Sequence, residues 1–324
     1  MMRACISLLV ALLGLGACAA NPPDPYGPNA SGICPLIRET TMPIEMHRNM
    51  LFVTVQIQGQ PVKLLVDTGA ERTLLTEETV ERLHLPRDYT HATRTYGIGN
   101  PTAAWDAILP HGMVLGNVHF PVERVTVGRF GITHIAGDAA DGLLGADILL
   151  AFDLDLDLPK QELTLYRARR QCPNAAPPWQ EPYLGLAGVA TRRDRLLVPI
   201  ELDGVSGMAV VDTGAQLSSI SETMAERMGV AASVLSNDHT VMAHGAAPNQ
   251  IAVHVHRFRE LRVGPSVIEG PTLPVVPMTG GMGDALVGAD FLKGRRAWLS
   301  YSTHRIFVTP LEHGPLLAVT HTPE

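Results

Sequence analysis

The chain has 324 residues, of which 46% are hydrophobic and only 5% aromatic, and its formal net charge is -7. This length allows two ordinary domains, each with a hydrophobic core of its own. The acidic balance and the lack of any run of lysines and arginines argue against a phosphate-binding surface, so no nucleic-acid partner is expected.

The first 18 residues predict an export signal. Residues 1–3 carry positive charge, residues 6–15 form an apolar core, and small residues follow at 16–20. This layout is typical of a secretory signal and is short for a membrane span. Leu15-Gly16-Ala17-Cys18 resembles the lipobox of bacterial lipoproteins, in which Cys18 becomes the lipidated first residue. Ordinary signal cleavage at Ala17-Cys18-Ala19 is the alternative. We expect an exported, periplasmic protein, anchored to a membrane by lipid at Cys18.

Two further cysteines, Cys34 and Cys172, flank the first half of the chain. In an oxidising compartment two thiols suggest one disulfide, which would join the start of that half to its end. Two unrelated thiols are the alternative, because sequence cannot show the geometry that a bridge needs.

Two copies of one stretch organise the rest of the chain, at residues 64–70 and 209–215. Each copy runs from an apolar segment, typical of a buried strand, into Asp-Thr-Gly-Ala. A carboxylate at the end of such a strand is costly to bury without a partner. A shift of 145 residues places Asp67 on Asp212 without a gap, so the other copy is the expected partner.

The remaining pattern predicts mainly β structure with short helices in both halves. Strands are expected at residues 51–58, 62–66 and 163–166, with matching strands at 197–202 and 306–308. Helices are expected at residues 76–83, with Thr76 as N-cap, and at 221–228. The predicted organisation is a signal (1–18), a tether and lead-in segment (19–47), a first lobe (48–171), a linker (172–183), a second lobe (184–311) and a tail (312–324).

Two carboxylates brought together cannot both ionise easily, so the pair shares one proton and titrates as a unit. The ionised member can take a proton from water, and the protonated member can hydrogen-bond the carbonyl that the water attacks. Such a pair hydrolyses an amide without metal or cofactor. The hydroxyls of Thr68 and Thr213 can bond across to the other half. Gly69 and Gly214 allow a tight turn and close approach of backbone.

These loops, each followed downstream by an apolar-apolar-Gly segment, resemble the retropepsin-like aspartic proteases, over roughly residues 48–310. The resemblance implies two homologous β-barrel lobes with short helices, fused as a pepsin-like pseudo-dimer in a monomer. It implies a catalytic dyad of Asp67 and Asp212, interlocking threonines at 68 and 213, and Leu143-Leu144-Gly145 and Leu286-Val287-Gly288 beneath the loops.

The family also closes Gly-rich flaps over its substrate. The stretch Tyr96-Gly97-Ile98-Gly99 resembles such a flap tip, with Tyr96 covering the substrate. A surface aromatic on a hairpin is the other interpretation of Tyr96. The second half has Met242-Ala243-His244-Gly245 at that place, which departs from the pattern.

Other polar patterns in the sequence are typical of ordinary structural roles. His254 and His256 lie on one face of a strand, where a solvated face is favoured over a metal site. Asp153, Asp155 and Asp157 alternate similarly, and an exposed strand face is favoured over a calcium site. Acids beside the Gly segments are expected to be turn or helix-cap residues: Asp141, Asp147, Asp284 and Asp290. Glu71 and Gln216 differ between the halves, so they either shape subsites or lie on the loop surface.

The resulting prediction is an exported aspartic endopeptidase that cuts an extended polypeptide, an envelope protein being the expected target. A catalytically silent, peptide-binding pseudo-protease is the alternative. Pairing of each half with another chain, as in smaller relatives, is a third interpretation.

Overall fold

In the computed structural model of the protein, the residues described are 36–95, 102–128, 140–167, 176–186, 188–190, 195–245, 250–278 and 283–311. The first half contains β1 (Arg38–Pro43), β2 (Glu45–His47), β3 (Met50–Ile57), β4 (Gln60–Val66), β5 (Leu74–Leu75), β6 (Arg87–Thr95), β7 (Thr102–Ile108), β8 (Met113–Leu115), β9 (Val118–Phe120), β10 (Arg124–Val127), β11 (Gly142–Leu144), β12 (Phe152–Asp157) and β13 (Glu162–Arg167). Its helices are α1 (Glu77–Arg82) and α2 (Ala146–Leu149).

The second half repeats this series. Its strands are β14 (Leu184–Leu186), β15 (Val189–Ala190), β16 (Leu196–Leu202), β17 (Val205–Val211), β18 (Ser219–Ser221), β19 (His239–His244), β20 (Gln250–Arg257), β21 (Glu260–Val263), β22 (Ser266–Glu269), β23 (Thr272–Val276), β24 (Ala285–Val287), β25 (Arg296–Ser300) and β26 (Arg305–Val308). Its helices are α3 (Glu222–Arg227), α4 (Ala232–Leu235) and α5 (Ala289–Leu292). Within the described residues, no helix combines the length and apolarity needed to cross a membrane.

Each half folds into a ten-stranded sheet, and the two sheets have the same strand order. The first runs β6-β7-β10-β5-β11-β4-β3-β8-β9 with β2 added on β3, and the second runs β19-β20-β23-β18-β24-β17-β16-β21-β22 with β15 added on β16. Every strand of one lobe thus has a counterpart in the other. The predicted fold of two homologous, mainly β lobes is confirmed.

Local sequence explains the elements that hold the repeated stretches. The apolar segments that end at Val66 and Val211 are almost fully buried, as expected for central strands. Helix α1 begins after Thr76, whose hydroxyl accepts the N–H of Thr79, and α3 begins after Ser221, which caps in the same way. Both predicted helices and the predicted N-cap are confirmed.

A third sheet of six strands is built from both lobes, in the order β1-β13-β12-β25-β26-β14. Its centre is the antiparallel pair of β12 from the first lobe and β25 from the second, with Leu154 opposite Leu299. Ala176 and Trp179 pack on this sheet, in a cluster with Trp298 and Phe307. Buried side chains of the two lobes and this sheet form one continuous core cluster, so the lobes share a hydrophobic interior.

The expectation of an exposed acidic face on β12 is wrong. Asp153, Asp155 and Asp157 are all buried, with Asp155 only 2% exposed. Asp155 accepts hydrogen bonds from Nε and Nη2 of Arg296, at 2.9 and 2.7 Å, and from the indole N–H of Trp179 at 3.1 Å. The acids were misassigned because strand alternation shows which residues share a face but not what covers that face.

The remaining two acids of β12 are also satisfied. Asp153 accepts hydrogen bonds from the backbone and hydroxyl of Ser302, at 2.9 and 2.6 Å, and from the hydroxyl of Ser300. Asp157 accepts from Lys160 at 2.9 Å. Asp153 and Asp155 therefore fasten the first lobe to the second by hydrogen bonds, and Asp157 adds an ion pair with Arg296 at 3.6 Å.

Replacing Arg296 by Leu should lower the free energy of unfolding by about 2–4 kcal/mol, because it leaves the buried Asp155 carboxylate unpaired. The double variant Asp155→Leu/Arg296→Leu should recover part of that loss, since no lone charge stays buried. Arg259→Leu is the matched control, because the Arg259 side chain is 81% exposed. Denaturant unfolding measures all three, and an Arg296→Leu loss no larger than that of the control would contradict the prediction.

Candidate active site

The two Asp-Thr-Gly loops follow directly from the ends of β4 and β17. In each lobe a downstream strand runs parallel beside the loop strand, with Leu144 opposite Val66 and Val287 opposite Val211. The N–H of Asp67 donates to the Leu144 carbonyl at 3.0 Å, and Asp212 makes the matching bond at 2.9 Å. The predicted packing of the apolar-Gly segments beneath the loops is thus present in both lobes.

A carboxylate braces each loop from below, and that of Asp290 is buried. Asp147 accepts the backbone N–H and hydroxyl of Thr73, at 2.8 and 2.7 Å, and Asp290 accepts those of Ser218 at the same distances. Burial raises the pKa of both acids, against the opposing effect of these bonds. Their helices have Gly145 and Gly288 at the N-cap, so of the two expected roles, turn or helix cap, the helix cap is wrong for Asp147 and Asp290.

Asp141 and Asp284 tie the helix of each lobe to the strand before the loop. Asp141 accepts the N–H of Lys63 at 2.8 Å and the guanidinium of Arg82 at 2.6 Å. Asp284 accepts the N–H of Met208 at 2.9 Å and pairs with Arg227. These acids also serve the frame of the site.

The two loops are locked together by reciprocal hydrogen bonds between Thr68 and Thr213. The Thr68 hydroxyl donates to the Val211 carbonyl at 2.7 Å and accepts the N–H of Thr213 at 3.1 Å. The Thr213 hydroxyl donates to the Val66 carbonyl at 2.6 Å and accepts the N–H of Thr68 at 3.1 Å. Both threonines are fully buried. The predicted bonding of each hydroxyl across to the other lobe is therefore present.

This lock brings the carboxyl groups of Asp67 and Asp212 together within one chain, so that each lies against the glycine of the opposite loop and affects the ionisation of the other. Each also accepts two backbone N–H groups of its own loop: Asp67 from Gly69 and Ala70 at 3.0 and 2.8 Å, and Asp212 from Gly214 and Ala215 at 2.9 and 3.1 Å.

Glycine is required at positions 69 and 214, where each loop touches the carboxyl group of the other. A Cβ on Gly69 would lie 2.5 and 2.6 Å from the two Asp212 oxygens, and a Cβ on Gly214 would lie as close to those of Asp67. Any larger residue would push the two carboxyl groups apart.

The pKa values of the two carboxyl groups are both raised. Burial, followed by the charge of Asp212, raises the pKa of Asp67 well above its usual range. Burial also raises the pKa of Asp212, but hydrogen bonds from Gly214, Asp67 and Ala215 and the positive charge of Arg195 oppose that rise. A pair in which one member holds a proton and the other a charge is the arrangement that general acid-base chemistry uses.

Several predicted site residues lie outside the described residues and stay predictions. They are the flap residues Tyr96, Gly97, Ile98 and Gly99, the lipidation residue Cys18, and the paired cysteines Cys34 and Cys172. The hairpin that would hold the flap is present as β6 and β7, and β19 and β20 form its counterpart.

The other polar candidates do not join this site. His254 lies 3.3 Å from the Thr240 hydroxyl, and His256 lies 2.6 Å from a carboxylate oxygen of Asp238. Both histidines are half-buried. Among the described residues, no group of three or more His, Cys, Asp or Glu side chains is placed to hold a metal ion.

Sequence reasoning missed Arg195, the residue before β16. Its side chain is buried and its Nε donates to the Gly69 carbonyl at 2.7 Å. Its Nη2 lies 3.3 Å from the carboxylate of Glu71, which gives Glu71 a role beyond a plain loop surface. The sequence does contain a signal for Arg195. Aligning the two halves by the shift of 145 residues pairs the charged Arg195 with the apolar Met50, a difference next to otherwise similar strands.

Comparison with known proteins identifies the class of this site. A family profile described as "Aspartyl protease" matches residues 53–148 and, a second time, residues 198–291. The two matches cover more than half of the chain and contain both loops. The chain belongs to the aspartyl protease family, whose members are protease-type hydrolases.

Curated relatives are eukaryotic and match over a limited stretch. The DNA damage-inducible protein 1 of Yarrowia lipolytica is 31% identical over 121 residues, or 36% of this chain and 28% of that protein. The protein of the same name in Eremothecium gossypii is 27% identical over 161 residues, which are 45% of this chain and 31% of that protein. The UBA domain-containing protein Mud1 of Schizosaccharomyces pombe is 32% identical over 121 residues, which are 36% of this chain and 33% of that protein. The chain spans about a third of the length of these relatives.

Two solved structures are similar at low identity. A retropepsin-like aspartic protease from Rickettsia conorii matches with a TM-score of 0.31 and 15% identity, covering 39% of this chain and 89% of that one. An aspartic proteinase from Irpex lacteus matches with a TM-score of 0.45 and 13% identity, covering 84% of this chain and 97% of that one.

Replacing Thr213 by Val should lower the free energy of unfolding by about 2–4 kcal/mol, because it leaves the Val66 carbonyl and the Thr68 N–H buried without partners. Thr213→Ser keeps the hydroxyl and should cost about 1 kcal/mol or less, the value of one buried methyl. Denaturant unfolding compares the two variants, and equal losses would show that the hydroxyl bonds are not what holds the loops.

Replacing Asp67 by Asn should stabilise the protein at neutral pH but not at acidic pH. The folded protein favours protonated Asp67, so the wild type loses stability as pH rises from the ordinary carboxyl range through the raised pKa of Asp67. The neutral amide avoids that loss. Unfolding curves collected across this range should show a gain that is absent at acidic pH and grows with pH; a gain that is independent of pH would contradict the expectation.

Proposed function

We propose that the protein is an aspartic endopeptidase that hydrolyses peptide bonds with a water activated by Asp67 and Asp212. The observation that carries this proposal is the meeting of the two carboxyl groups, one from each lobe, across the interlocked loops. Each group is oriented by two backbone N–H bonds, and the pair is held close enough to share a proton. Such a pair provides one base and one acid at a single point.

The reaction follows from that arrangement. The ionised carboxylate takes a proton from the bound water as the water oxygen bonds to the scissile carbonyl carbon. The protonated carboxyl donates its proton to the carbonyl oxygen, which gives a neutral tetrahedral diol and exchanges the roles of the two acids. The C–N bond then breaks as the nitrogen takes a proton from the newly protonated member, and a diol hydroxyl returns a proton to the other. The dyad ends in its starting state, with an amine and a carboxylic acid as products.

The substrate class proposed is an extended polypeptide, because an extended chain can pair its backbone with hairpins and strand edges beside a cleft. The hairpins β6–β7 and β19–β20 occupy matching places in the two lobes and are the elements that would provide such edges. A peptide in this conformation would present one carbonyl to the shared pair.

The proposal is tested by incubating the purified protein with a denatured protein and a peptide library from about pH 3 to about pH 8. Asp67→Asn and Asp212→Asn should each lower the rate of cleavage by roughly 10²–10⁴-fold or more, because each removes one member of the acid-base pair. Glu226→Gln, at an exposed site on α3, is the matched control for loss of one carboxylate and should cut normally. Retained cleavage in either Asn variant would disprove the dyad. Peptide binding without cleavage by the wild type would instead support the silent pseudo-protease.

A further inference from the structure

The two carboxyl groups of the dyad are chemically identical and sit in nearly identical backbone frames, yet the reaction needs one to be charged and the other protonated. The backbone does not distinguish them, because each accepts two N–H groups of its own loop and each contacts the glycine of the opposite loop. Any stable difference between them must come from side chains that break the repeat.

Arg195 breaks the repeat at the loop glycine that packs on the Asp212 carboxyl group. Its guanidinium donates to the carbonyl of Gly69 at 2.7 Å, and Gly69 is the residue that packs directly on the Asp212 carboxyl group. Arg195 is 5% exposed, so its charge is weakly screened by solvent. Asp212 therefore has a buried cation behind the glycine that it touches.

The matching place in the other lobe is apolar. Strands β3 and β16 have the same register against their hairpin partners, with Phe52 opposite Leu65 and Leu197 opposite Val210. This register places Met50 where the second lobe has Arg195. Met50 packs in a cluster with Phe52 and Leu65, and its thioether brings no charge to the side of Gly214 and Asp67.

Other charged groups near the loops are either more exposed than Arg195 or present in both lobes. Glu71, which pairs with Arg195 at 3.3 Å, has a side chain 41% exposed, so water screens its charge more than that of the guanidinium. Asp147, with Arg72 nearby, and Asp290 lie beneath their own loops in matching positions. Arg195 is thus the principal asymmetric charge on the dyad among the described residues.

We propose that Arg195 is a positioning residue that makes the dyad unequal, so that in the resting protein Asp212 carries the negative charge and Asp67 carries the proton. Asp212 is then the base that takes the proton from water, and Asp67 is the acid that donates to the scissile carbonyl. This assignment rests on the endopeptidase activity proposed above and specifies which carboxyl group begins the reaction as the base and which as the acid. The positive charge of Arg195 opposes the rise in the pKa of Asp212, whereas the neighbouring charge of Asp212 raises that of Asp67, which agrees with the assignment.

The test uses three variants of the full chain. Arg195→Gln keeps an N–H donor for the Gly69 carbonyl but removes the charge, and Arg195→Lys keeps the charge. Arg259→Gln removes one exposed positive charge from the same lobe and serves as the control. The measurements are kcat/KM for a cleaved peptide as a function of pH, and ¹³C NMR titration of the aspartate carboxyl groups, assigned with Asp67→Asn and Asp212→Asn.

In Arg195→Gln, the acidic limb of the kcat/KM profile should move to higher pH, with a several-fold loss at its acidic end and a much smaller loss at the plateau. Arg195→Lys and Arg259→Gln should keep the limb close to that of the wild type. A purely structural role of Arg195 would instead lower the whole profile without moving the limb, and that result would overturn the proposal.

The NMR titration separates this inference from the proposed function, because it needs no turnover. In the wild type, Asp212 should ionise at lower pH than Asp67, and the difference should shrink in Arg195→Gln. Ionisation of Asp67 first, or an unchanged difference in the variant, would overturn the role of Arg195 even if peptides are cut. A protein that cuts no peptide but shows the expected titration would refute the endopeptidase proposal and keep the charge assignment.

Discussion

The reciprocal bonding of Thr68 and Thr213 is the constraint on which the rest of the site depends. Two neighbouring carboxyl groups oppose each other's ionisation, so the pair cannot carry two negative charges without a cost in free energy. The threonine hydroxyls prevent separation, because parting the loops would leave buried donors and acceptors of both loops unsatisfied at once. The electrostatic cost of the dyad is therefore offset by neutral hydrogen bonds one residue away.

The remainder of the fold makes that lock rigid. Strands β11 and β24 lie beside the loop strands, and Asp147 and Asp290 hold the loops by hydrogen bonds to Thr73 and Ser218. The six-stranded sheet joins the lobes at a distance from the loops, through strand pairing and the contact of Asp155 with Arg296. Two independent connections between the lobes leave little freedom to hinge at the loops, so the carboxyl groups keep their mutual geometry.

Sequence predicted the parts that are repeated. A single Asp-Thr-Gly is weak information, but two copies in register, each with a capped helix and an apolar-Gly segment, identify the strands, the helices and both carboxyl groups. Sequence failed where the partner is distant and unrepeated. The acids of β12 alternate like an exposed edge, and their cover, Arg296 and Trp179, comes from other parts of the chain that no local pattern joins to them. The role of Arg195 likewise depends on its hydrogen bond to the carbonyl of Gly69, which is distant in the sequence.

Duplication explains why such unrepeated residues matter. A repeated backbone supplies two equivalent carboxyl groups, which suits proton sharing but gives neither group a fixed role. Differences at matched positions, such as Arg195 against Met50 and Glu71 against Gln216, can bias the pair without altering the frame that holds it. A fused chain can accumulate these differences independently in each lobe, whereas a dimer of identical chains must change both sides together. In this protein the repeated loops build the site, and the residues that differ between the lobes can decide which carboxyl group acts as the base.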